Sequence, residues 1–277
     1  MESRSDQDGL RAGAVGAGPD LTFTPPANEP TTGSTLLEVR DLSKHFGGLA
    51  AVETVSFRIG RGEIVGVIGP NGAGKTTLFA LLSGFLPATS GEVLFEGTSI
   101  LGLQPDSLCH LGMARTFQVV RPFPEMTVSD NVRAAAVFGK PGRRPGPEIE
   151  SDVEEVLRAT GLAHLSGQHP TSLSLPQRKR LEVARALATR PRLLLLDEVL
   201  AGLNPKEIKE AIPFVRSLND KRGLTILMIE HNLRAIMGVC QRIMVLNFGQ
   251  LIFDGTPRDA VEDASVIEAY LGGQQYA

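Results

Sequence analysis

The chain of 277 residues lacks an apolar stretch long enough to cross a membrane, because charged residues interrupt its longest hydrophobic runs. Any role at a membrane would therefore require a partner protein. The chain has only two cysteines, Cys109 and Cys240, which lie far apart and in no metal-ligand spacing. This pattern predicts packing residues in a reduced, cytosolic protein. The net charge of −3 gives no reason to expect nucleic-acid binding.

The first 35 residues lack the pattern of a folded segment. They are rich in Gly, Ala, Pro, Thr and Ser, and they contain no uninterrupted apolar core of a secretory signal. We therefore expect residues 1–35 to be a disordered leader. Residues 36–273 are expected to form one domain, followed by a short tail at residues 274–277.

Strand and helix patterns alternate along this domain. The segment EIVGVIG (63–69) is nearly continuous in β-branched residues, and the segment RLLLLDE (192–198) contains four consecutive leucines. Both patterns are expected of strands buried on two faces. The alternation predicts an α/β fold with a parallel, doubly wound sheet, and the segment 242–255 predicts a β-hairpin.

The middle of the chain has a different character. Residues from about 103 to 186 lack strong strand patterns and contain several helical ones, with a Pro/Gly-rich break at 140–148. We expect this segment to be a mostly helical subdomain. We expect this helical subdomain to be inserted into an α/β core formed by residues 36–102 and 187–265.

The segment GPNGAGKT, residues 69–76, fits the phosphate-loop pattern G-x-x-x-x-G-K-[ST] and lies between a predicted strand and a predicted helix. Its glycines allow successive backbone N–H groups to face one set of phosphates. Lys75 would reach the β- and γ-phosphates, and the Thr76 hydroxyl would bind Mg²⁺. An incidental glycine-rich turn is the alternative. The predicted nucleotide-binding residues of this segment are Gly69, Pro70, Asn71, Gly72, Ala73, Gly74, Lys75, Thr76 and Thr77.

A second motif supplies carboxylates. The leucines at 193–196 predict a buried strand that ends at Asp197, and ligands of α/β sheets bind at the carboxyl ends of strands. Asp197 would hold Mg²⁺, and Glu198 would orient an attacking water or accept its proton. A core strand that ends in solvated acids is the alternative, but after a phosphate loop the pair favours a nucleoside triphosphatase.

The stretch LSLPQRKRLEVARAL (173–187) predicts a helix capped by Ser174, with Gln177 at capping-box spacing. Such a helix N-terminus attracts anions. Because a buried strand ending in Asp197 follows it, this stretch resembles the signature helix of ABC ATPases. Gln118 in ARTFQ matches the Q-loop of that family, and His231 in MIEHN matches its switch histidine.

The resemblance covers about residues 36–272. It implies the P-loop NTPase fold of ABC ATPases, with a mixed, largely parallel sheet, an antiparallel β subdomain and an inserted helical subdomain. It also implies ATP hydrolysis with Mg²⁺, in which Phe46 stacks on the adenine; taken alone, Phe46 reads as a core residue. The implied catalytic residues are Glu198, His231 and Gln118, and the implied metal ligands are Thr76, Gln118 and Asp197.

The resemblance further implies a head-to-tail dimer with a second ABC ATPase subunit, either identical or different. Each ATP would lie between one phosphate loop and the other subunit's signature helix, so Ser174 and Gln177 would contact the partner's ATP. Pro176 stands where the family has a glycine, and one N–H donor is lost. It either weakens the partner's site or is a tolerated variant. Asn204 lies at the D-loop position and is expected at the dimer interface.

Three segments, 112–132, 201–207 and 266–273, resemble the LivG-type ATPases of branched-chain amino acid importers. This resemblance implies two integral membrane permeases, an extracytoplasmic solute-binding protein, and a peripheral position at the cytoplasmic face of the inner membrane. Residues 117–126 would then receive a permease helix, or form a buried loop. Uptake of urea or amides, export of lipopolysaccharide or other lipids, and a non-transport ABC ATPase are the alternatives.

Overall fold

The computed structural model describes five stretches of the chain: residues 34–117, 121–140, 142, 144–231 and 233–271. Gln118, the predicted tail and nearly all of the predicted leader lie outside these residues. The first strand already begins at Thr35, one residue before the predicted start of the domain. None of the helices in the described stretches is long and apolar enough to cross a membrane.

Two β-sheets organise the molecule. The smaller sheet is antiparallel, in the order β2-β1-β4-β5. In the larger sheet, ordered β10-β9-β3-β8-β7-β6, neighbouring strands are parallel except for β10, which runs antiparallel to β9. The strands are β1 (Thr35–Phe46), β2 (Leu49–Gly60), β3 (Ile64–Ile68), β4 (Ser90–Phe95), β5 (Thr98–Ser99), β6 (Met113–Arg115), β7 (Leu193–Asp197), β8 (Thr225–Ile229), β9 (Arg242–Asn247) and β10 (Gln250–Gly255).

The helices lie between these strands, and three of them pack on one another as a helical layer: α3 on α4 and α5, and α4 on α5. In the described part of the chain the α-helices are α1 (Lys75–Leu82), α2 (Pro105–Leu111), α3 (Val128–Phe138), α4 (Gly146–Ala159), α5 (Leu175–Ala188), α6 (Pro205–Arg222), α7 (Leu233–Val239), α8 (Pro257–Glu262) and α9 (Ala264–Leu271).

Every position of the central strands β3, β7 and β8 is buried, and nearly all of their residues are apolar, so the larger sheet is covered on both faces. Side chains alternate between the faces of a strand. In β3, Ile64 and Ile68 therefore join one core with Leu181 of α5, whereas Val65 and Val67 join a second core with Phe79 of α1. Because both faces of the sheet are packed, the positions of the carboxyl ends of its strands are fixed.

The predicted α/β fold, with a largely parallel sheet and an antiparallel β subdomain, is confirmed. The segment from about 103 to 186 is expected to be mostly helical, and the structure also contains one short strand in it. Strand β6 pairs with β7, Met113 opposite Leu193, and extends the main sheet. Its three residues, Met-Ala-Arg, contain no β-branched or aromatic side chain and gave no strand signal.

Candidate functional site

Three predicted motifs meet at the carboxyl edge of the larger sheet, because their strands are neighbours. Ile229 of β8 pairs with Val67 of β3 on one side and with Asp197 of β7 on the other. The phosphate loop follows β3, Glu198 follows β7, and His231 comes two residues after β8. The sheet topology thus brings together side chains that are far apart in the sequence.

The phosphate loop requires glycine at two positions for steric reasons. Gly69 has φ 151° and Gly74 has φ 100°, both outside the range that other residues adopt readily. A Cβ atom on Gly69 would lie 2.1 Å from the Leu246 carbonyl oxygen, and one on Gly74 would lie 2.2 Å from that of Ala51. The backbone at these positions can therefore pack closely against its neighbours, and Gly74 is the N-cap of α1.

Lys75, the first residue of α1, turns back onto this loop. Its ammonium donates to the carbonyl oxygens of Gly69 at 2.8 Å and Pro70 at 2.9 Å. Burial lowers the pKa of Lys75, and the charge of Glu198 opposes that shift. The loop therefore holds a cation at its centre, beside the exposed Thr76 at the start of α1.

Asp197, the last residue of β7, is buried and held at two points. Its Oδ2 lies 2.7 Å from Nη2 of Arg115 in an ion pair that is nearly free of solvent. Its backbone N–H donates to Oγ1 of Thr116 at 3.1 Å. Both partners come from the end of β6, so this strand fixes the carboxylate that the sequence predicts as a metal ligand.

Glu198 and His231 form a direct pair. Nε2 of His231 lies 2.6 Å from Oε1 of Glu198, and because a carboxylate only accepts, the imidazole is the donor. Glu198 adopts φ 50°, a conformation that costs a non-glycine residue about 1–3 kcal/mol. Two contacts offset this cost: its N–H donates to Ile229 at 3.0 Å, and its carbonyl accepts from Lys179 Nζ at 3.1 Å.

Glu230, which directly follows β8, also contacts the segment after Asp197. Its Oε1 accepts the backbone N–H of Leu200 at 2.7 Å, and its side chain is buried. Burial raises the pKa of Glu230 to about 7; the Leu200 hydrogen bond and the charge of Lys179 act against that rise, while Glu198 and Asp197 add to it. The segment after Asp197 is thus fixed by two polar side chains, from α5 and from the end of β8.

The signature segment has the predicted helix start. Ser174 is the N-cap of α5, and its N–H donates to Oε1 of Gln177 at 2.9 Å. Pro176 lies in the first turn and offers no N–H. Ser174 and Gln177 line a cavity of about 470 Å³ together with Asn204, and none of the described phosphate-loop residues lines it. Within one chain, the structure therefore does not bring the signature residues to the phosphate loop.

Asn204 has a structural role that the sequence reading did not include. It is the N-cap of α6, where its side chain accepts the N–H groups of Lys206 and Glu207 at 3.0 Å each. The Glu207 side chain accepts the Asn204 N–H in return, at 2.9 Å. Asn204 and Glu207 thus form a capping box, and the interface role of Asn204 stays a prediction.

Phe46 is 48% exposed at the end of β1, so the alternative of a core residue is wrong. The Lys44 ammonium lies 5.1 Å from the centre of its ring. Phe46 pairs with Leu49 at the hairpin. Ala51, two residues after Leu49, packs its carbonyl against Gly74 of the phosphate loop. Stacking of the Phe46 ring on the adenine stays a prediction.

A groove of about 280 Å³ lies beside β6, and its lining includes Phe85, Cys109, Arg115 and Phe117. Phe85 is 49% exposed and Phe117 is 43% exposed, and their rings meet edge to face at 5.4 Å. Half-exposed aromatic rings beside a cavity are typical of surfaces that bind another protein. We call this cavity the aromatic groove.

The chain beyond the aromatic groove is shaped by Asn131 of α3, which is fully buried. Its amide nitrogen donates to the carbonyls of Phe123, Met126 and Thr127, and its oxygen accepts the Phe123 N–H at 2.8 Å. The Phe123 ring remains 48% exposed and stacks on Arg185. The alternative of a buried loop is therefore wrong for Phe123.

The sequence reading missed several residues that organise this site: Arg115, Asn131, Lys179 and Glu230. Each is a polar residue within a strand or helix pattern, or directly after one. Arg115, Lys179 and Glu230 contact atoms of distant segments, whereas Asn131 contacts the backbone four to eight residues before it. The sequence carries no local signal for such contacts.

Comparison with known proteins gives the family. Residues 52–201 match the ABC transporter family, and residues 250–275 match the branched-chain amino acid ATP-binding cassette transporter family. The chain is 38% identical to the high-affinity branched-chain amino acid transport ATP-binding protein BraF of Pseudomonas aeruginosa. It is 39% identical to LivG of Escherichia coli K12; each alignment covers 86% of this chain and 98% of the relative.

Solved structures agree with the sequence relatives. The ADP conformation of MJ1267, an ATP-binding cassette of an ABC transporter, superposes with a TM-score of 0.79 at 32% identity. It covers 86% of this chain and 99% of that one. The dimeric structure of MJ0796, a bacterial ABC transporter cassette, superposes with a TM-score of 0.72 at 26% identity, over 80% of this chain and 99% of that one. The predicted resemblance is confirmed: the chain belongs to the family of ABC transporter ATP-binding proteins.

Proposed function

We propose that this protein binds and hydrolyses ATP as a subunit of an importer for branched-chain or other hydrophobic amino acids. The observation that carries the proposal is the near full-length match to LivG and BraF, whose names assign them to high-affinity branched-chain amino acid transport. The convergence of the phosphate loop, Asp197, Glu198 and His231 at one sheet edge supports the chemistry.

The ATP phosphates bind at the loop between β3 and α1. Backbone N–H groups and the N-terminus of α1 face them, and Lys75 exchanges its contacts with the Gly69 and Pro70 carbonyls for contacts with the β- and γ-phosphates. All residues from Gly69 to Thr77 are proposed to contact the nucleotide in this way. Phe46 stacks on the adenine from the neighbouring hairpin.

The residues at this edge also fit Mg²⁺, a hard cation that prefers oxygen ligands. The exposed Thr76 hydroxyl and the Asp197 carboxylate supply such ligands, and Gln118 is proposed as a third. When bound, Mg²⁺ neutralises charge on the phosphate oxygens.

Hydrolysis requires a water aimed at the γ-phosphate. Glu198 orients this water and accepts its proton, and the hydrogen bond from His231 fixes the carboxylate. His231 exposes its imidazole toward solvent and can also reach the γ-phosphate of a bound nucleotide. Gln118 senses the γ-phosphate in this proposal.

A second ABC ATPase subunit, identical or different, completes the nucleotide site. Ser174 and Gln177 lie at a cavity apart from the chain's own phosphate loop, so they act on a nucleotide held by the partner. The N-terminus of α5 supplies the positive end of a helix dipole there. MJ0796, a bacterial ABC transporter cassette that is similar to this chain, has a dimeric structure, which supports a dimer here.

Two integral membrane permeases are the other proposed partners, with an extracytoplasmic solute-binding protein acting through them. The aromatic groove and the exposed Phe123 form an apolar surface on which a permease helix docks. This docking places the protein peripherally at the cytoplasmic face of the inner membrane.

The test is transport into proteoliposomes that contain this chain and its permeases, with ATP inside and the solute-binding protein outside. We expect ATP-dependent uptake of labelled leucine, isoleucine and valine, with competition by unlabelled hydrophobic amino acids. A complex that hydrolyses ATP but carries urea, amides or lipid instead would overturn the substrate assignment and leave the ATPase assignment standing.

A further inference from the structure

Arg115 connects two parts of the molecule that have separate roles in the proposed function. Its Nη2 pairs with Asp197 at 2.7 Å, and its Nη1 donates to the Ser83 hydroxyl at 2.8 Å. Ser83 is the C-cap of α1, the helix that begins with Lys75. One guanidinium therefore contacts the predicted metal carboxylate and the end of the phosphate-binding helix.

The same guanidinium forms the inner wall of the aromatic groove. Its carbon lies 5.9 Å from the centre of the Phe79 ring, 5.7 Å from that of Phe85 and 5.5 Å from that of Phe117. Cation–π contacts of this kind gain strength when water is removed. The Nε of Arg115 is buried and has no hydrogen-bond partner among the described residues. The three rings therefore contribute much of the environment that keeps this cation in place.

The end of β6 reinforces the connection through its backbone. Thr116 donates its N–H to the Leu195 carbonyl at 2.9 Å, and its hydroxyl accepts the Asp197 N–H. The Phe117 N–H then donates to Glu182 of α5 at 3.3 Å. Arg115, Thr116 and Phe117 are consecutive residues, so the groove ring of Phe117 and both contacts of Asp197 belong to one short segment.

We infer that Arg115 is a positioning residue that couples the occupancy of the aromatic groove to the metal-binding competence of Asp197. A segment that covers Phe85 and Phe117 holds these rings against the guanidinium, which keeps the Arg115–Asp197 pair in place and the carboxylate in one orientation. Loosening Arg115 lets the carboxylate rotate away. The inference rests on the proposed function, because it assumes that Asp197 binds Mg²⁺ and that a partner occupies the groove.

The test measures Mg²⁺ dependence rather than turnover. Binding of a ribose-labelled fluorescent ATP to the full chain is titrated with MgCl₂, and the affinity without Mg²⁺ is measured in EDTA. The informative variant is Phe85→Leu, which keeps an apolar side chain at the groove but removes one ring from Arg115. Phe138→Leu is the matched control, since Phe138 is an exposed ring on α3 and makes none of these contacts with Arg115.

We expect Phe85→Leu to raise the Mg²⁺ concentration at half-maximal binding about threefold to tenfold, the size of one partly desolvated cation–π contact. The affinity in EDTA and the Phe138→Leu titration should not change. Arg115→Lys should raise the midpoint as well, because it keeps the charge and loses the planar fork. In the Arg115→Lys background, Phe85→Leu should add less than it does alone.

The possible results separate the inference from the proposed function. An unchanged or lowered Mg²⁺ midpoint in Phe85→Leu, with normal binding by the parent chain, would overturn the coupling alone. A lowered midpoint in Arg115→Lys would mean that Arg115 only competes with the metal, which also contradicts the positioning role. A parent chain that binds no nucleotide at any Mg²⁺ concentration would overturn the proposed function itself.

Discussion

The imidazole of His231 donates a 2.6 Å hydrogen bond to the carboxylate of Glu198. The two residues follow the neighbouring parallel strands β8 and β7, and Glu198 adopts a strained φ of 50°. The pair supplies a carboxylate in a defined orientation beside a phosphate loop, as general-base chemistry requires.

Replacement of Lys75 by alanine should weaken ATP binding. The ammonium makes charge-assisted contacts with phosphates, and the loss of such contacts lowers affinity by about tenfold to a hundredfold. Calorimetric titration with ATP and Mg²⁺ measures the change, with Lys206→Ala, an exposed lysine of α6, as the control. Equal affinities for the parent chain and Lys75→Ala would count against the phosphate-loop assignment.

Glu230 should make the stability of the fold depend on pH. Its pKa rises from 4.5 to about 7 in the folded protein, so the folded state binds this proton more tightly than the unfolded state does. The favourable contribution is complete below the unfolded pKa and is lost as pH rises through about 7. A shift of this size corresponds to about 3 kcal/mol in the free energy of unfolding.

Glu230→Gln removes this titration and keeps an acceptor for the Leu200 N–H. As pH rises from about 5 to about 8, the free energy of unfolding of the variant should increase by about 2–3 kcal/mol relative to that of the parent chain. Urea unfolding at each pH measures this difference. Glu154→Gln, at an exposed position of α4, is the control. A stability difference that stays constant with pH would contradict the assignment.

Sequence patterns predicted those parts of the site that consecutive residues form. The glycines of the phosphate loop and the leucines before Asp197 impose local constraints, and the structure places them at strand ends as expected. Arg115 could not be predicted, because its importance depends on strand β6 pairing with β7, a contact between segments about 80 residues apart. Phe46 was ambiguous since a lone aromatic residue is compatible with both a core and a surface.

Asn131→Ala should destabilise the protein, because it removes four hydrogen bonds that the buried Asn131 side chain makes with backbone groups of Phe123, Met126 and Thr127. The expected loss is about 3 kcal/mol in the free energy of unfolding. Val137→Ala on the same helix is partly exposed and should cost less than about 1 kcal/mol. Equal losses in the two variants would show that the Asn131 contacts contribute nothing specific.

The signature helix should support ATP-dependent dimerisation. In Glu198→Gln, which retains bound ATP in this account, light scattering should detect monomers without nucleotide and dimers with ATP and Mg²⁺. Pro176→Gly restores one N–H donor in the first turn of α5 and should tighten the dimer by about fivefold to tenfold. Pro257→Gly at the start of α8 is the control. A monomer that binds ATP would mean that a different second ATPase subunit is required.

The central claim is that Glu198 acts on the water that attacks ATP, and phosphate release by the Glu198→Gln variant tests it most directly. Glutamine keeps an oxygen for His231 but cannot accept the proton, so the account predicts a loss of turnover of about 10²- to 10⁴-fold. ATP affinity should remain within about threefold of the parent value, and Glu154→Gln should hydrolyse ATP normally. A Glu198→Gln variant that releases phosphate at the parent rate would contradict the account.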